Sequence, residues 1–323
     1  MRGRGRMLAV LLVLAFAVAG GRFLYKWYGP GPLGKEATFL VPDGSTLTSV
    51  AQKLEKEGAI ASANSFRVHA RVLGSPAPVK AGEFGLPAHA SPAQILSILQ
   101  TGKPLRRMVT IPEGMPSVMV YDRLMATPLL TGKIAVPPEG SVLPDSYDYE
   151  RGESRAEVLK RMQDAMKKTV AELWAKRAKD LPVKTPEEAV TLASIVEKET
   201  GKPGERKLVA GLYENRLKEG MLLQADPTII YPITKGKPLG RRIRQSEIQA
   251  VNDYNTYTRV GLPVGPITNP GRASIEAVLH PASTKALYMV ADGTGGHVFA
   301  ETLEQHNANV AKWFAIRKAR GDL

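Results

Sequence analysis

Two glutamates one residue apart close an apolar stretch, Leu192-Ala193-Ser194-Ile195-Val196-Glu197-Lys198-Glu199-Thr200. With Ala189, Leu192, Ala193 and Val196 turned to a core, Glu197 and Glu199 fall near opposite boundaries of that face. One can look into a cleft while the other meets solvent, and periodicity does not say which. A carboxylic acid set among apolar neighbours holds its proton more firmly, because desolvation disfavours the charged form. Such a group suits proton donation to a leaving oxygen. The ordinary alternative for such a pair is a solvated helix end.

Three later stretches gather polar side chains: Gln224, Asp226 and Thr228 in Leu223–Thr228; Tyr254, Asn255 and Tyr257 in Tyr254–Tyr257; Asn269 in Gly261–Gly271. Amides, hydroxyls and phenols pair with sugar hydroxyls and acetamido groups, and phenol rings stack on pyranose faces. Loops held by a scaffold are where binding groups tend to sit. Asp-Pro, Asn-Pro-Gly and Gly-Leu-Pro are also common turns, so each stretch alone is weak. His69, His89, His280, His297 and His306 show no H-E-x-x-H spacing, and Gly293–Gly296 lacks the lysine of a phosphate loop. The sequence therefore asks for no metal and no cofactor.

The elements that must hold these residues are helical. Thr185-Pro186-Glu187-Glu188 reads as a capping box with proline at the first helical position, opening a helix that stops near Gly201. A second amphipathic helix spans Glu205–Glu219. From Met221 to Gly271 the chain reads as loops. A short helix over Ala273–Leu279 follows, then a hairpin (Leu287–Ala291 with His297–Ala300) and a final helix over Leu303–Arg320.

Upstream, one pattern occurs twice. Phe39-Leu40-Val41-Pro42-Asp43-Gly44 and Val109-Thr110-Ile111-Pro112-Glu113-Gly114 are short strands ending in a turn, each followed by helical spacing (Val50 and Leu54; Val120 and Leu124). Ser91-Pro92-Ala93-Gln94 and Ser154-Arg155-Ala156-Glu157 repeat a second element. Two related β-α units are expected, on either side of Gly102-Lys103-Pro104.

Arg2, Arg4 and Arg6 precede the apolar run Met7 to Gly21, and Arg22, Lys26, Trp27 and Tyr28 follow it. Residues 1–28 read as a signal anchor, with cleavage after Ala17-Val18-Ala19 as the rival, and 29–36 as a Gly/Pro linker. Either reading exports the rest. The chain has no cysteine, which excludes disulfides and thiolate chemistry, and its net charge of +13 favours anionic partners. Arg241, Arg242 and Arg244 read as a solvated basic face, and an exported chain meets little nucleic acid.

Leu192–Thr200, Val209–Leu217, Leu223–Tyr231, Tyr254–Tyr257, Gly261–Gly271 and Val290–Phe299 stand in an order that resembles the endolytic murein transglycosylases of the MltG (YceG-like) family. The resemblance covers nearly the whole chain and is loosest from Thr127 to Asp180. It implies an α+β protein in three parts: the anchor, a small LysM-like module over 37–104, and a mainly helical, lysozyme-like catalytic domain with a loop-rich groove over 105–323. That domain includes a second LysM-like unit near 107–165. The implied site is a single-pass inner membrane with the catalytic domain on the periplasmic side. The implied partners are peptidoglycan glycan strands, membrane lipid and peptidoglycan synthases, with no nucleic acid. Glu197, the first of the pair, is the implied catalytic acid, and Glu199 has a supporting role. Gln224, Asp226, Thr228, Tyr254, Asn255, Tyr257 and Asn269 are expected to hold the glycan. The implied product is a 1,6-anhydro end, made where strand elongation stops. Two other readings stay open: a hydrolase with Glu197 as acid and Asp226 as base, and a non-catalytic peptidoglycan-binding scaffold.

Overall fold

The computed structural model describes residues 2–321. They form an α+β protein in two compact units, divided between Arg107 and Met108.

The first unit runs α1 (Arg2–Tyr28), β1 (Ala37–Val41), α2 (Leu47–Lys56), α3 (Ala63–Leu73), β2 (Gly82–Leu86), α4 (Pro92–Thr101). β1 and β2 pair antiparallel with Phe39 opposite Phe84, and both rings enter a core with Val50, Leu54, Ile95 and Leu99. Alternation along β1 puts Phe39 and Val41 on the inner face. Within α1, Ala9–Tyr28 is long and apolar enough to cross a membrane. The helix does not end free of the module, because Trp27, 2% exposed, belongs to this core. Residues 29–36, expected as a linker, are laid along the unit instead. The Gly31 amide donates to His89 O (3.1 Å), the His89 amide to Leu33 O (2.7 Å), and Leu33 packs on the core.

The second unit repeats the opening of the first. β3 (Arg107–Thr110), α5 (Ser117–Ala126), β4 (Ser146–Tyr149) and α6 (Arg155–Ala175) follow in order, with β3 beside β4. Irregular chain takes the place of α3. The matched elements are physically alike. Ser45 N donates to Pro42 O (3.2 Å) and Met115 N to Pro112 O (3.3 Å), each across a left-handed glycine (Gly44, φ 71°; Gly114, φ 70°). Ser91 with Gln94 and Ser154 with Glu157 make complete capping boxes at α4 and α6.

The first half of α6 packs on the repeated unit through Val158 and Met162, and its second half enters a helical core through Met166, Val170 and Leu173. α7 (Pro186–Glu199) lies at the centre of that core and is buried on every side from Ala189 to Val196. Its cap differs from the expected box. Thr185 accepts from Glu188 N (3.1 Å), but the Glu188 carboxylate reaches one residue further back, to Lys184 N (2.5 Å). A 3-10 turn (Pro203–Glu205) leads into α8 (Arg206–Lys218). The region expected as loops contains α9 (Asp226–Thr234), with Pro227 in its first turn, and the short α10 (Gln245–Ile248). α11 (Arg272–Leu279), the hairpin β5 (Tyr288–Ala291) and β6 (His297–Ala300), and α12 (Leu303–Arg320) complete the fold as expected.

Trp27→Ala empties a large buried site and should cost the first unit about 3–5 kcal/mol. Hydrogen exchange at β1 and α2 amides reads that loss. Unchanged protection there would mean that α1 is a free tether.

Candidate active site

The last turn of α7 sends its two glutamates into different surroundings. Residues i and i+2 of a helix point to different sides, so a helix buried all round delivers each carboxyl to a separate neighbourhood.

Glu197 lies against the second repeat. Its side chain is 5% exposed; Oε2 accepts the Gly271 amide (2.9 Å) and Oε1 meets Arg206 Nη2 (3.5 Å). The same guanidinium nitrogen donates to Glu113 Oε2 (2.9 Å). Glu197 thus ties the end of α7 to the Pro112-Glu113-Gly114 turn and to the start of α11. Asn269 secures this junction, donating to Met115 O (2.9 Å) and Ser117 Oγ (3.0 Å) and accepting from Val142 N (3.0 Å). Glu139 accepts the Ser117 amide (2.8 Å), and burial holds its carboxyl above the usual range.

Glu199 enters a cluster built by α8, the loop before α9, and the Tyr254–Tyr257 loop. Oε1 is enclosed without a hydrogen-bond partner, while the residue as a whole stays partly exposed. Burial pushes this carboxyl up to about 7. The Tyr213 hydroxyl and the Arg216 charge pull against the rise, and the Asp226 carboxylate adds to it. The Tyr257 hydroxyl donates to Asp226 Oδ1 (2.6 Å). Burial, with Asp226 beside it, keeps that phenol protonated well above its ordinary range. Arg216 is buried and fixed by donation to the carbonyls of Leu287 (2.6 Å) and Leu223 (2.8 Å); Gln224 Oε1 stands 3.4 Å from its Nη1. Gln224 itself is exposed with φ 54°, a strained conformation for a side-chain-bearing residue and a frequent mark of binding loops.

Of the residues selected from sequence, the fold therefore brings Glu199, Gln224, Asp226 and Tyr257 together. Asn255 and Thr228 are buried directly behind them. Asn255 Nδ2 donates to the carbonyls of Ile248 (2.9 Å) and Ala250 (2.7 Å), and Thr228 Oγ1 bonds Thr256 Oγ1 (2.9 Å). Their polar atoms are committed to backbone and loop, so they shape the site without facing it. Tyr254 packs on Tyr231, ring centroids 4.7 Å apart, and Asn269 serves the Glu197 junction. Asp226, expected on a loop, is the first residue of α9. Tyr213 and Arg216 went unselected. Their signal is an i, i+3 pair on one side of α8, a tyrosine and a cation with no surface role.

Lys198, between the two glutamates, and Pro227, next to Asp226, both line a cleft of about 450 Å³ with Glu113, Gly114, Met115 and Ile230. The connection after Glu199 is clamped by the hairpin. Glu205 accepts from Thr200 Oγ1 (3.1 Å) and His297 N (3.1 Å) and meets His297 Nδ1 (3.0 Å). Gly296 lies so close that a Cβ would stand 2.2 Å from the Glu205 carboxylate.

Such a site defines a class: one desolvated carboxyl at a helix end, flanked by a buried cation, phenols and amides, with no cluster of metal ligands among the described residues. The chain belongs to the YceG-like family, whose model matches residues 39–312. It is 26% identical to an endolytic murein transglycosylase of Bacillus subtilis (strain 168), over 94% of this chain and 93% of that one. It is 28% identical to the enzyme of the same name from Streptococcus pneumoniae serotype 2, over 95% of this chain and 64% of that one. A crystal structure of a YceG-like protein from Listeria monocytogenes superposes with a TM-score of 0.54 at 27% identity, over 85% of this chain and 98% of that one.

A carboxyl raised from 4.5 to about 7 keeps, in the folded chain, a proton that the unfolded chain has released. Its contribution to stability is fullest at low pH and declines as pH rises from about 4.5 through 7. Glu199→Gln should remove that decline, stabilising the second unit relative to wild type by up to about 3 kcal/mol at pH 8 but little at pH 5. Urea unfolding followed by hydrogen exchange in α7 checks it; parallel pH curves would mean a solvated carboxyl.

Proposed function

We propose that the protein is a membrane-anchored endolytic transglycosylase that cleaves the bond between N-acetylmuramic acid and N-acetylglucosamine in peptidoglycan strands, with Glu199 as the acid. The observation that carries the assignment within the pair is the Glu199 environment. Its carboxyl is desolvated, pushed up to about 7, and lies by Tyr213, Arg216, Asp226 and Tyr257, with Gln224 next to Arg216. Glu197, the acid expected from the family resemblance, is already committed to Arg206 and the Gly271 amide. Those partners occupy both of its oxygens.

In this reading the Glu199 proton passes to the glycosidic oxygen as that oxygen leaves. The carboxylate left behind then takes the proton of the muramic six-position hydroxyl, whose oxygen closes on the anomeric carbon to form the 1,6-anhydro ring. Protons balance without water. The attacking hydroxyl is already tethered, which supplies proximity without a second substrate. Arg216, fixed by carbonyls and near Glu199, stabilises the transient carboxylate, and Asp226 favours its reprotonation. Gln224 and Tyr257 face the sugar, while Thr228, Asn255, Tyr254 and Asn269 hold the loops that present them. The β-α units before and within the second unit serve as LysM-like glycan holders, and the helical remainder as a lysozyme-like catalytic body. α1 anchors the chain in the inner membrane with this body outside the cytoplasm, beside the synthases whose strands it ends.

Mass spectrometry of purified glycan strands treated with the full chain in detergent tests the chemistry. Wild type should leave anhydro-muramic ends, Glu199→Gln about 100-fold fewer or less, and Glu197→Gln should retain cleavage with lowered stability. Reducing muramic ends would indicate hydrolysis instead. Loss with Glu197→Gln and retention with Glu199→Gln would return the acid to Glu197. No products from wild type would favour a binding scaffold. For wild type, kcat/KM should fall about tenfold per pH unit above roughly 7, as the Glu199 proton is lost.

A further inference from the structure

Helix α3 has one side in the core and one side without a partner. Ala63, Phe66, His69 and Ala70 are buried. Asn64, Arg67, Val68, Arg71 and Val72 are exposed, with Val68 at 54% and Val72 at 64%. At about 100° per residue these five share one side of the helix. That side carries two cations, two β-branched apolar residues and no acid. A solvated helix face ordinarily mixes charge signs, whereas arginine beside exposed aliphatic residues is the composition of a helix lying in a lipid interface.

The height of α3 is set by α1. His69 Nε2 lies 3.0 Å from Phe23 O, and its ring stacks on Phe23 (centroids 4.0 Å apart) and on Trp27 (5.8 Å). Trp27 in turn packs on Phe66 at 5.7 Å. Phe23 directly follows Arg22, the first charge after the apolar run, and lies inside the span-length window Ala9–Tyr28. The uncharged run ends at Gly21, so Phe23, one residue past Arg22, stands where the chain leaves the acyl layer for the headgroups. Helix α3 is bolted to α1 at that level. There, an exposed face carrying two arginines is within reach of lipid headgroups.

We propose that α3 lies in the headgroup layer of an anionic bilayer, with Arg67 and Arg71 on lipid phosphates and Val68 and Val72 at the acyl boundary. The first unit is then seated on the membrane around α1, not hung from it, which fixes its height and tilt against the surface. The inference rests on the reading of α1 as a membrane span. Each arginine near an anionic surface adds attraction that salt screens, and the valines add apolar burial that salt leaves intact.

The absence of cysteine makes the test direct. Single nitroxides are placed through Val72→Cys, Val13→Cys in the middle of α1, and Glu55→Cys on the exposed side of α2. The full chain is reconstituted in vesicles of phosphatidylcholine with one quarter phosphatidylglycerol. Oxygen and nickel-chelate accessibilities then report depth. Position 13 should be deep in lipid, position 55 aqueous, and position 72 between them near the phosphates. Position 72 should shift toward water when Arg67→Gln and Arg71→Gln are added. If position 72 matches position 55 while position 13 is in lipid, the α3 proposal is wrong and the anchor stands. A water-exposed position 13 removes both. Spin–spin broadening at position 72 that survives dilution with lipid means that a second copy covers the face, which also overturns the proposal.

Discussion

The second unit is organised around a helix buried on every side. α7 brings Ala189 to Val196 into the core without a solvent face, so the chain packs α6, α8, α9 and α11 around it. A helix so enclosed is held in register by close packing, and the side chains of its last turn are aimed with little freedom. That turn is where the chain places Glu197 and Glu199. Two carboxyls at the mouth of an apolar core each need a partner or a proton, and the surrounding elements supply one solution to each.

For Glu197 the solution is charge pairing. Arg206, Glu113 and the Gly271 amide make it part of a junction where α7, α8, α11 and the second repeat's turn converge. For Glu199 the solution is a retained proton. Burial lifts the carboxyl toward neutrality, and Tyr213, Arg216 and Asp226 set how far. The same helix end thus carries a paired carboxyl and a desolvated one two residues apart. The difference comes from which side of α7 each faces.

The repeated β-α unit shows one local design in two settings. The Pro-Asp-Gly turn at Gly44 has open space where a Cβ would sit, whereas at Gly114 the Glu197 side chain lies 3.4 Å from that point. The turn chemistry is the same, and only the second copy borders the cleft. The hairpin from Tyr288 to Ala300 has an equally local origin and a distant effect, since its Gly296 turn closes on Glu205 and steadies the chain just after Glu199.

Periodicity, caps and turn residues were sufficient to determine α7, α8, α11 and α12, the hairpin, the apolar N-terminal helix and the duplicated β-α unit. The helices and the hairpin are signalled by residues within a few positions of one another, and the β-α unit by its turn and capping box. The motifs also marked both glutamates and most of the polar cluster. Three matters were decided only by tertiary structure. The segment 29–36 looked like a linker because Gly and Pro signal local freedom, yet its hydrogen bonds run to His89 and its packing to a distant core. α9 hid in an apparent loop because Asp-Pro reads equally as a turn and as a helix start, and packing on α7 selected the helix. The environments of Glu197 and Glu199 could not be ranked from their own spacing. The Glu199 proton affinity depends on desolvation, the Tyr213 hydroxyl and the charges of Asp226 and Arg216. The Glu197 oxygens find Arg206 and the Gly271 amide, and all of these groups adjoin the pair only once the chain has folded.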